Sequence, residues 1–170
     1  LESSEILFVR RCSAWACSSL FFKATIVCKF EERAMISTNQ SWDQHITDCR
    51  WATLTTLRQS GRPVSSIVAY ARDGDELVVS TPRTTFKALS IVRNPHVNLC
   101  VFNNAEPFNY VSIEGRATVE IDNLMSATRL VFANIAGTGY EEPEDLEGWL
   151  QVDDRVILRI QPDRVFGVIR

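Results

Sequence analysis

The chain has 170 residues, 45% of them hydrophobic and 23% charged, with a formal net charge of −3. This length suits one domain able to bury a real core, and the composition suits a globular protein. The negative balance argues against a general nucleic-acid binder, and no apolar run reaches the length of a membrane span.

Residues 1–34 differ from the remainder. They hold Lys23 and Lys29, Cys12, Cys17 and Cys28, and the apolar stretch Trp15 to Phe22 behind Arg10-Arg11. Lys23 interrupts the apolar region and no clean cleavage site follows, which argues against an export signal. We expect 1–34 to be a non-native or disordered extension, Met35 to be the natural start, and 35–170 to fold as one domain. From Met35 onward 13 basic residues stand against 17 acidic ones. Cys49 and Cys100 give neither a disulfide framework nor a zinc spacing. A reducing cytoplasm is the expected compartment.

In chain order, Ser41 or Asp43 begins a short helix ending near Cys49. Trp51–Leu57, rich in Thr and apolar residues, is a strand, Gln59–Pro63 a turn, and Val64–Ala71 a second strand. Asp73-Gly74-Asp75 is a hairpin signal before a third strand, Glu76–Thr81. Thr84 to Asn94 is helical, marked by Phe86, Leu89 and Val92 and stopped by Pro95. Val97–Phe102 is a fourth strand. Tyr110–Asp122 alternates strictly. Val111, Ile113, Gly115, Ala117, Val119 and Ile121 take one face, and Gly115 marks a bend or bulge. Leu124, Thr128, Val131 and Ile135 mark a helix closed by Gly137. Glu141–Glu147 is a solvated loop or a first helical turn. Arg155–Ile160 and Arg164–Ile169 are two last strands, separated by Pro162-Asp163. Hairpin-linked strands with a few helices point to a mainly β, α+β fold, a small closed or partly closed antiparallel barrel.

The chemistry available to side chains is sparse. His45 and His96 are too few for most metal sites and fall at boundaries, and GxSxG, HExxH and GxGxxG are absent. Cys100 reads as a small core residue. Cys49, beside Arg50, is a weak candidate for a lowered pKa. No catalytic side chain and no metal site are assigned. Lys87 is more informative: it is the single lysine after Met35, where the chain otherwise uses twelve arginines. It lies at a strand–helix junction with Ser80, Thr81, Arg83, Thr84 and Thr85. Unpaired N–H groups, a positive helix dipole, hydroxyls and two cations make an anion cradle. The same residues also fit a plain helix cap with solvated cations, and local chemistry leaves both readings open. An anion cradle without a nucleophile suits a protein whose chemistry belongs to a bound cofactor.

Several short motifs then come in a fixed order: Trp51-Ala-Thr-Leu-Thr-Thr-Leu-Arg58, Gly61-Arg-Pro63, Asp73-Gly-Asp75, Ser80-Thr81-x-Arg83-x-Thr85-x-Lys87, Arg93-Asn-Pro95-x-Val97 and Val111-x-Ile113-Glu-Gly-Arg-Ala117. Over about residues 42–169 this series resembles the pyridoxamine 5′-phosphate oxidase-like split β-barrel oxidoreductases, and within them the coenzyme F420-dependent branch. The resemblance implies a six-to-seven-stranded antiparallel split barrel that dimerises, with its cofactor in a groove between subunits. It assigns Ser80, Thr81, Arg83, Thr84, Thr85 and Lys87 to the cofactor's phosphate and tail. It assigns Ser65, Ser66, Ile67 and Ala69 to the tricyclic ring, and Tyr110 to a contact from the partner subunit. For Ser66 ordinary strand alternation is an equal reading. The implied activity is hydride transfer from reduced F420 to an unsaturated or quinone-like small molecule. FMN is the alternative cofactor, and a non-catalytic flavin- or haem-binding carrier the alternative class. The arginine-rich flavin-phosphate motif and the C-terminal Arg-Leu-x-Pro motif of true pyridoxamine phosphate oxidases have no counterpart here, which sets vitamin B6 oxidation aside.

Overall fold

The computed structural model describes residues 34–170, and the extension expected over 1–34 lies, but for Ala34, outside the described residues. In Trp51–Leu57 (β1) half-buried residues alternate with buried Ala52, Leu54 and Thr56. That is the period-two pattern of a strand with one face on a core. The other strands are Pro63–Ala69 (β2), Ala71–Asp73 (β3), Glu76–Pro82 (β4), His96–Phe102 (β5), Tyr110–Glu120 (β6) and Arg155–Val168 (β7). The helices are Gln40–Asp48 (α1), Phe86–Arg93 (α2), Leu124–Asn134 (α3) and Leu146–Val152 (α4). The seven strands form one antiparallel sheet in the order β2-β1-β5-β6-β7-β4-β3. It curls into a half-barrel, with β2 and β4 meeting across the gap.

The inner face buries Leu54, Val68, Leu77, Leu99, Ile113 and Leu158, closed by Ile46 of α1 and by Ala88 and Ile91 of α2. A second cluster lies behind β3, β4 and β7, where Ala127 and Val131 of α3 cover Ala71, Val78 and Ile157. Asn134 ties α3 to the sheet, donating to the carbonyls of Tyr70 at 2.8 Å and Cys49 at 3.2 Å.

The most informative local feature is the bulge between β6 and β7. Glu114 pairs with Arg164 but Gly115 pairs with Pro162, leaving Asp163 as the extra residue. Pro162 lacks an N–H, so a bulge tolerates it where a regular ladder would not. A side chain at Gly115 would collide with the Gln161 carbonyl and with Pro162 Cα, 3.3 Å away. The two strands expected at the C-terminus are therefore one bent strand, and the bend expected at Gly115 is present.

Other expectations need correction. Helix α1 begins at Gln40 because Asn39 accepts from the N–H groups of Ser41 and Trp42, ahead of the expected Ser41 or Asp43. The second expected strand is split at Tyr70, whose hydroxyl donates to the Ile46 carbonyl at 2.5 Å in the core. On α2 the residues taken as apolar markers point outward: Phe86, Leu89 and Val92 are exposed while Ala88, Ser90 and Ile91 are buried. The acidic stretch does start a helix, since Asp145 accepts from Gly148 N–H at the head of α4.

The entry to the domain is fastened by a buried ion pair. Asp43 accepts from the N–H groups of Ile36 (2.9 Å) and Ser37 (3.2 Å) and from Arg72 Nη1 (2.9 Å). Arg72 also donates to Thr47 Oγ1, to the Gly74 carbonyl and to the Ala34 carbonyl. Burial alone would raise the Asp43 pKa, but these donors outweigh it and hold the carboxyl below its usual range. A depressed folded-state pKa adds stability that is complete above the unfolded value, about 3.9, and fades as pH falls through the folded one. Asp43→Asn leaves the Arg72 guanidinium uncompensated and should cost about 3 kcal/mol at pH 7. Urea melts of both proteins at pH 7 and pH 3 should show the gap narrowing in acid.

Candidate functional site

The β4–α2 corner brings Ser80, Thr81, Arg83, Thr84, Thr85 and Lys87 into one short stretch, but the side chains behave differently. Thr81 is buried, and its hydroxyl lies 3.2 Å from that of Thr85. Thr85 occupies the N-cap position of α2 but makes no side-chain cap bond, donating instead to the Pro82 carbonyl at 2.9 Å. The first-turn N–H groups of α2 therefore lack a side-chain acceptor, which weakens the plain-cap reading of this corner. Arg83 is committed elsewhere: its Nε meets Asp154 Oδ1 at 3.0 Å, and its N–H donates to the Asp154 carbonyl. Thr84 is exposed. Ser80 accepts through its carbonyl from Arg155, and Thr128 of α3 lies 3.5 Å from its hydroxyl.

Lys87 is half-buried and, among the described residues, its ammonium has neither a hydrogen bond nor an ion pair. Burial lowers its pKa, and the neighbouring Arg155 charge lowers it further. It also stands at the positive end of a helix that has no acidic residue in its first turn. Desolvation, a like charge and the dipole all disfavour the ammonium, and an incoming anion reverses the last two.

Arg155 was not legible in the sequence. The β4–β7 ladder sets it opposite Pro82, at the mouth of the corner. Its guanidinium lies 4.1 Å from the Trp149 ring centroid and pairs with Asp153 at 3.2 Å. Arg83 and Arg155 also border a cavity of about 630 Å³ floored by Leu124, Met125 and Leu150.

The residues assigned to the ring divide. Ser65, Ile67 and Ala69 share the outer face of β2, whereas Ser66 alternates to the other side with buried Val68. Ile67 is 69% exposed and borders a cavity of about 320 Å³ with Trp51, Phe102 and Asn104. Tyr110 lies on β6, separated from β2 by β1 and β5. Three strand spacings amount to about 14 Å, so within one chain Tyr110 does not meet the β2 residues.

The histidines and cysteines do not form a reactive pair. Cys49 Sγ lies 3.6 Å from His45 Nε2. Burial raises the thiol pKa, as does the Asp48 charge, while burial lowers that of His45. This contradicts the lowered thiol pKa considered for Cys49. Cys100 is not a core residue: it sits half-buried on the outer face of β5, and burial raises its pKa too. Among the described residues no group of acidic, His or Cys side chains could hold a metal, and no helix is long and apolar enough to cross a membrane.

This half-barrel is the split barrel expected from the motif series. The chain belongs to the pyridoxamine 5′-phosphate oxidase family, whose model matches residues 38–169. Among solved structures it resembles an F420 reductase, at 22% identity over 75% of this chain and 97% of that one, with a TM-score of 0.61. It also resembles a FAD-binding protein from Mesorhizobium loti, at 19% identity over 77% and 94% of the two chains, with a TM-score of 0.60. The haem storage protein of Vibrio cholerae is similar at 16% identity over 75% and 92%, with a TM-score of 0.59. These likenesses establish the fold. No curated protein matches the sequence.

A cation held against its own electrostatics should not contribute to stability. Because the folded-state pKa of Lys87 lies below the unfolded value, the charged side chain penalises the fold at neutral pH. The penalty is relieved as pH rises through the folded pKa towards about 10.4. Lys87→Met should therefore melt at the same temperature as the parent protein or higher at pH 7. That advantage should shrink at alkaline pH, as followed by thermal melts from pH 7 to 10.

Proposed function

We propose that the chain is a homodimeric oxidoreductase of a reducing cytoplasm that binds coenzyme F420 and reduces an unsaturated or quinone-like small molecule. The observation that carries this reading is the unpartnered, half-buried Lys87 beside Arg155 at the open end of α2. A phosphate there would accept from Lys87, from the α2 N–H groups and from the Thr84 hydroxyl, and would screen the Lys87–Arg155 repulsion. Reduced F420, when bound, supplies a hydride from C5 of its ring.

The remaining residues bind and orient. Ser65, Ile67 and Ala69 offer the ring a small, largely apolar edge beside Trp51 and Phe102. Tyr110 reaches that edge only from a second subunit, which is why the reading requires a dimer. No side chain is assigned to proton transfer. His45 is kept neutral and the Cys49 thiol protonated, so this pair offers no thiolate–imidazolium chemistry, and solvent delivers the acceptor's proton. Rate then comes from orientation against the ring.

FMN is the alternative occupant, because a phosphate cradle does not distinguish the two ring systems. Fluorescence titration with F420, FMN and haem in parallel separates the flavin-type readings from a haem carrier. Replacing Lys87 by Ala should weaken F420 about 10–100-fold, the loss of one charge-assisted hydrogen bond of roughly 1.5–3 kcal/mol. Unchanged affinity in that titration would remove the cradle from the site.

A further inference from the structure

Helix α2 is inverted. A helix that covers a core normally turns its large apolar residues inward. Here Ala88, Ser90 and Ile91 are buried, while Phe86, Leu89 and Val92 are 38%, 48% and 73% exposed. At about 100° per residue these three and Arg93 share one outward arc of about 120°, and α2 contains no acidic residue. The tip of the β1–β2 hairpin stands beside this face. Residues 58–63 are all exposed, and the Arg58 guanidinium lies 4.9 Å from the Phe86 ring centroid. Arg58, Gln59, Ser60, Phe86 and Arg93 line an open cavity of about 590 Å³ that no carboxylate borders. Among the described residues Arg58, Arg62 and Arg93 have no ion pair, although Arg93 donates to the Ser90 hydroxyl at 3.2 Å. The chain as a whole carries −3, so this face opposes the charge balance of the molecule.

We propose that this face docks on an anionic lipid surface, with Phe86, Leu89 and Val92 entering the headgroup boundary and Arg58, Arg62 and Arg93 meeting lipid phosphates. An apolar stripe flanked by arginines is the pattern of a helix that lies in the plane of the interface. No described helix is long and apolar enough to cross the bilayer, so the contact is peripheral. Charge and apolarity together select the occupant. A second copy of the face is excluded, because a two-fold contact is isologous and would set arginines against arginines. A nucleic-acid backbone would take the arginines but leave three large apolar side chains in water. A bilayer suits both halves, since its acyl boundary takes the apolar residues and its anionic headgroups take the guanidiniums. The eight residues of α2 span about 12 Å, so docking holds the Lys87 corner within one helix length of the bilayer. The inference does not depend on the cofactor. Where the proposed function also holds, docking brings a lipid-soluble, quinone-like acceptor within reach of the site.

The test uses the full chain with Cys12, Cys17, Cys28 and Cys100 replaced by Ser, which leaves buried Cys49. On that background Leu89→Cys carries the polarity-sensitive dye NBD, and Glu141→Cys, at an exposed position before α4, carries it as the control. A dye on α2 reports on this face rather than on the chain at large. Vesicles of phosphatidylcholine with phosphatidylglycerol should give a blue shift and a several-fold rise in emission at Leu89→Cys, quenched by doxyl-labelled lipid. They should give no change at Glu141→Cys, and phosphatidylcholine alone should act far more weakly at Leu89→Cys. Adding Arg58→Gln with Arg93→Gln should raise the lipid needed for half-maximal response about 30-fold, the loss expected for two arginines at a charged surface. All variants should melt with the parent, since the substituted positions are exposed. No response at Leu89→Cys overturns the proposal. So do equal responses at the two positions or to the two lipids, and so does an unchanged lipid requirement in the double arginine variant. Poly-aspartate giving the same shift without vesicles would assign the face to an acidic polypeptide and overturn the lipid reading. F420 titration of the same labelled protein judges the cofactor reading separately.

Discussion

The pairing of β6 with β7 is the constraint on which the other features depend. Strand β7 pairs with β6 from Ile157 to Val168 and with β4 from Arg155 to Ile160. It can do both only because it bends at Asp163, where Gly115 leaves room for the Gln161 carbonyl. Before the bend, β7 sets Arg155 at the β4–α2 corner. After the bend, Arg164, Phe166 and Val168 continue the outer face that begins on β2. One backbone irregularity thus positions both surfaces that carry the functional argument. A side chain at Gly115 would disturb the two together.

The corner itself is an electrostatic conflict held in place by packing. Ala88 and Ile91 anchor α2 in the core, and Arg155 is fixed by Trp149 and Asp153. The Arg155 charge disfavours the half-buried Lys87 ammonium, and the described residues supply it with no carboxylate. Elsewhere the protein treats buried charge in the opposite way. Asp43 meets Arg72, and Arg159 receives Glu120, Asp73 and Glu76 at 2.7–3.0 Å, which raises its pKa. Against that background Lys87 stands out among the described residues as a half-buried cation without a carboxylate partner.

The sequence shows most of the strands because alternation is a local property. Trp51–Leu57 is found with its observed ends, and Tyr110–Asp122 with only its last residues lost. Positions set by tertiary contact were not legible. The markers chosen on α2 were the larger apolar residues Phe86, Leu89 and Val92, but the space under the helix fits Ala88 and Ile91, and size misled the facing. Proline after Gln161 reads as a break, although a bulge absorbs it. Arg155 carries no local signal, since only the β4–β7 register brings it beside Lys87. The stretch proposed as a cradle stands out in the sequence because the single lysine after Met35, the threonines and the strand–helix junction are all written in eight consecutive residues.

The central claim is that the β4–α2 corner holds the phosphate of a flavin-type cofactor. Its most direct measurement is a paired fluorescence titration, with F420 and with the same deazaflavin lacking its phosphate-bearing tail. The account predicts that the ligand without phosphate binds at least about tenfold more weakly. Equal affinities for the two ligands would contradict it.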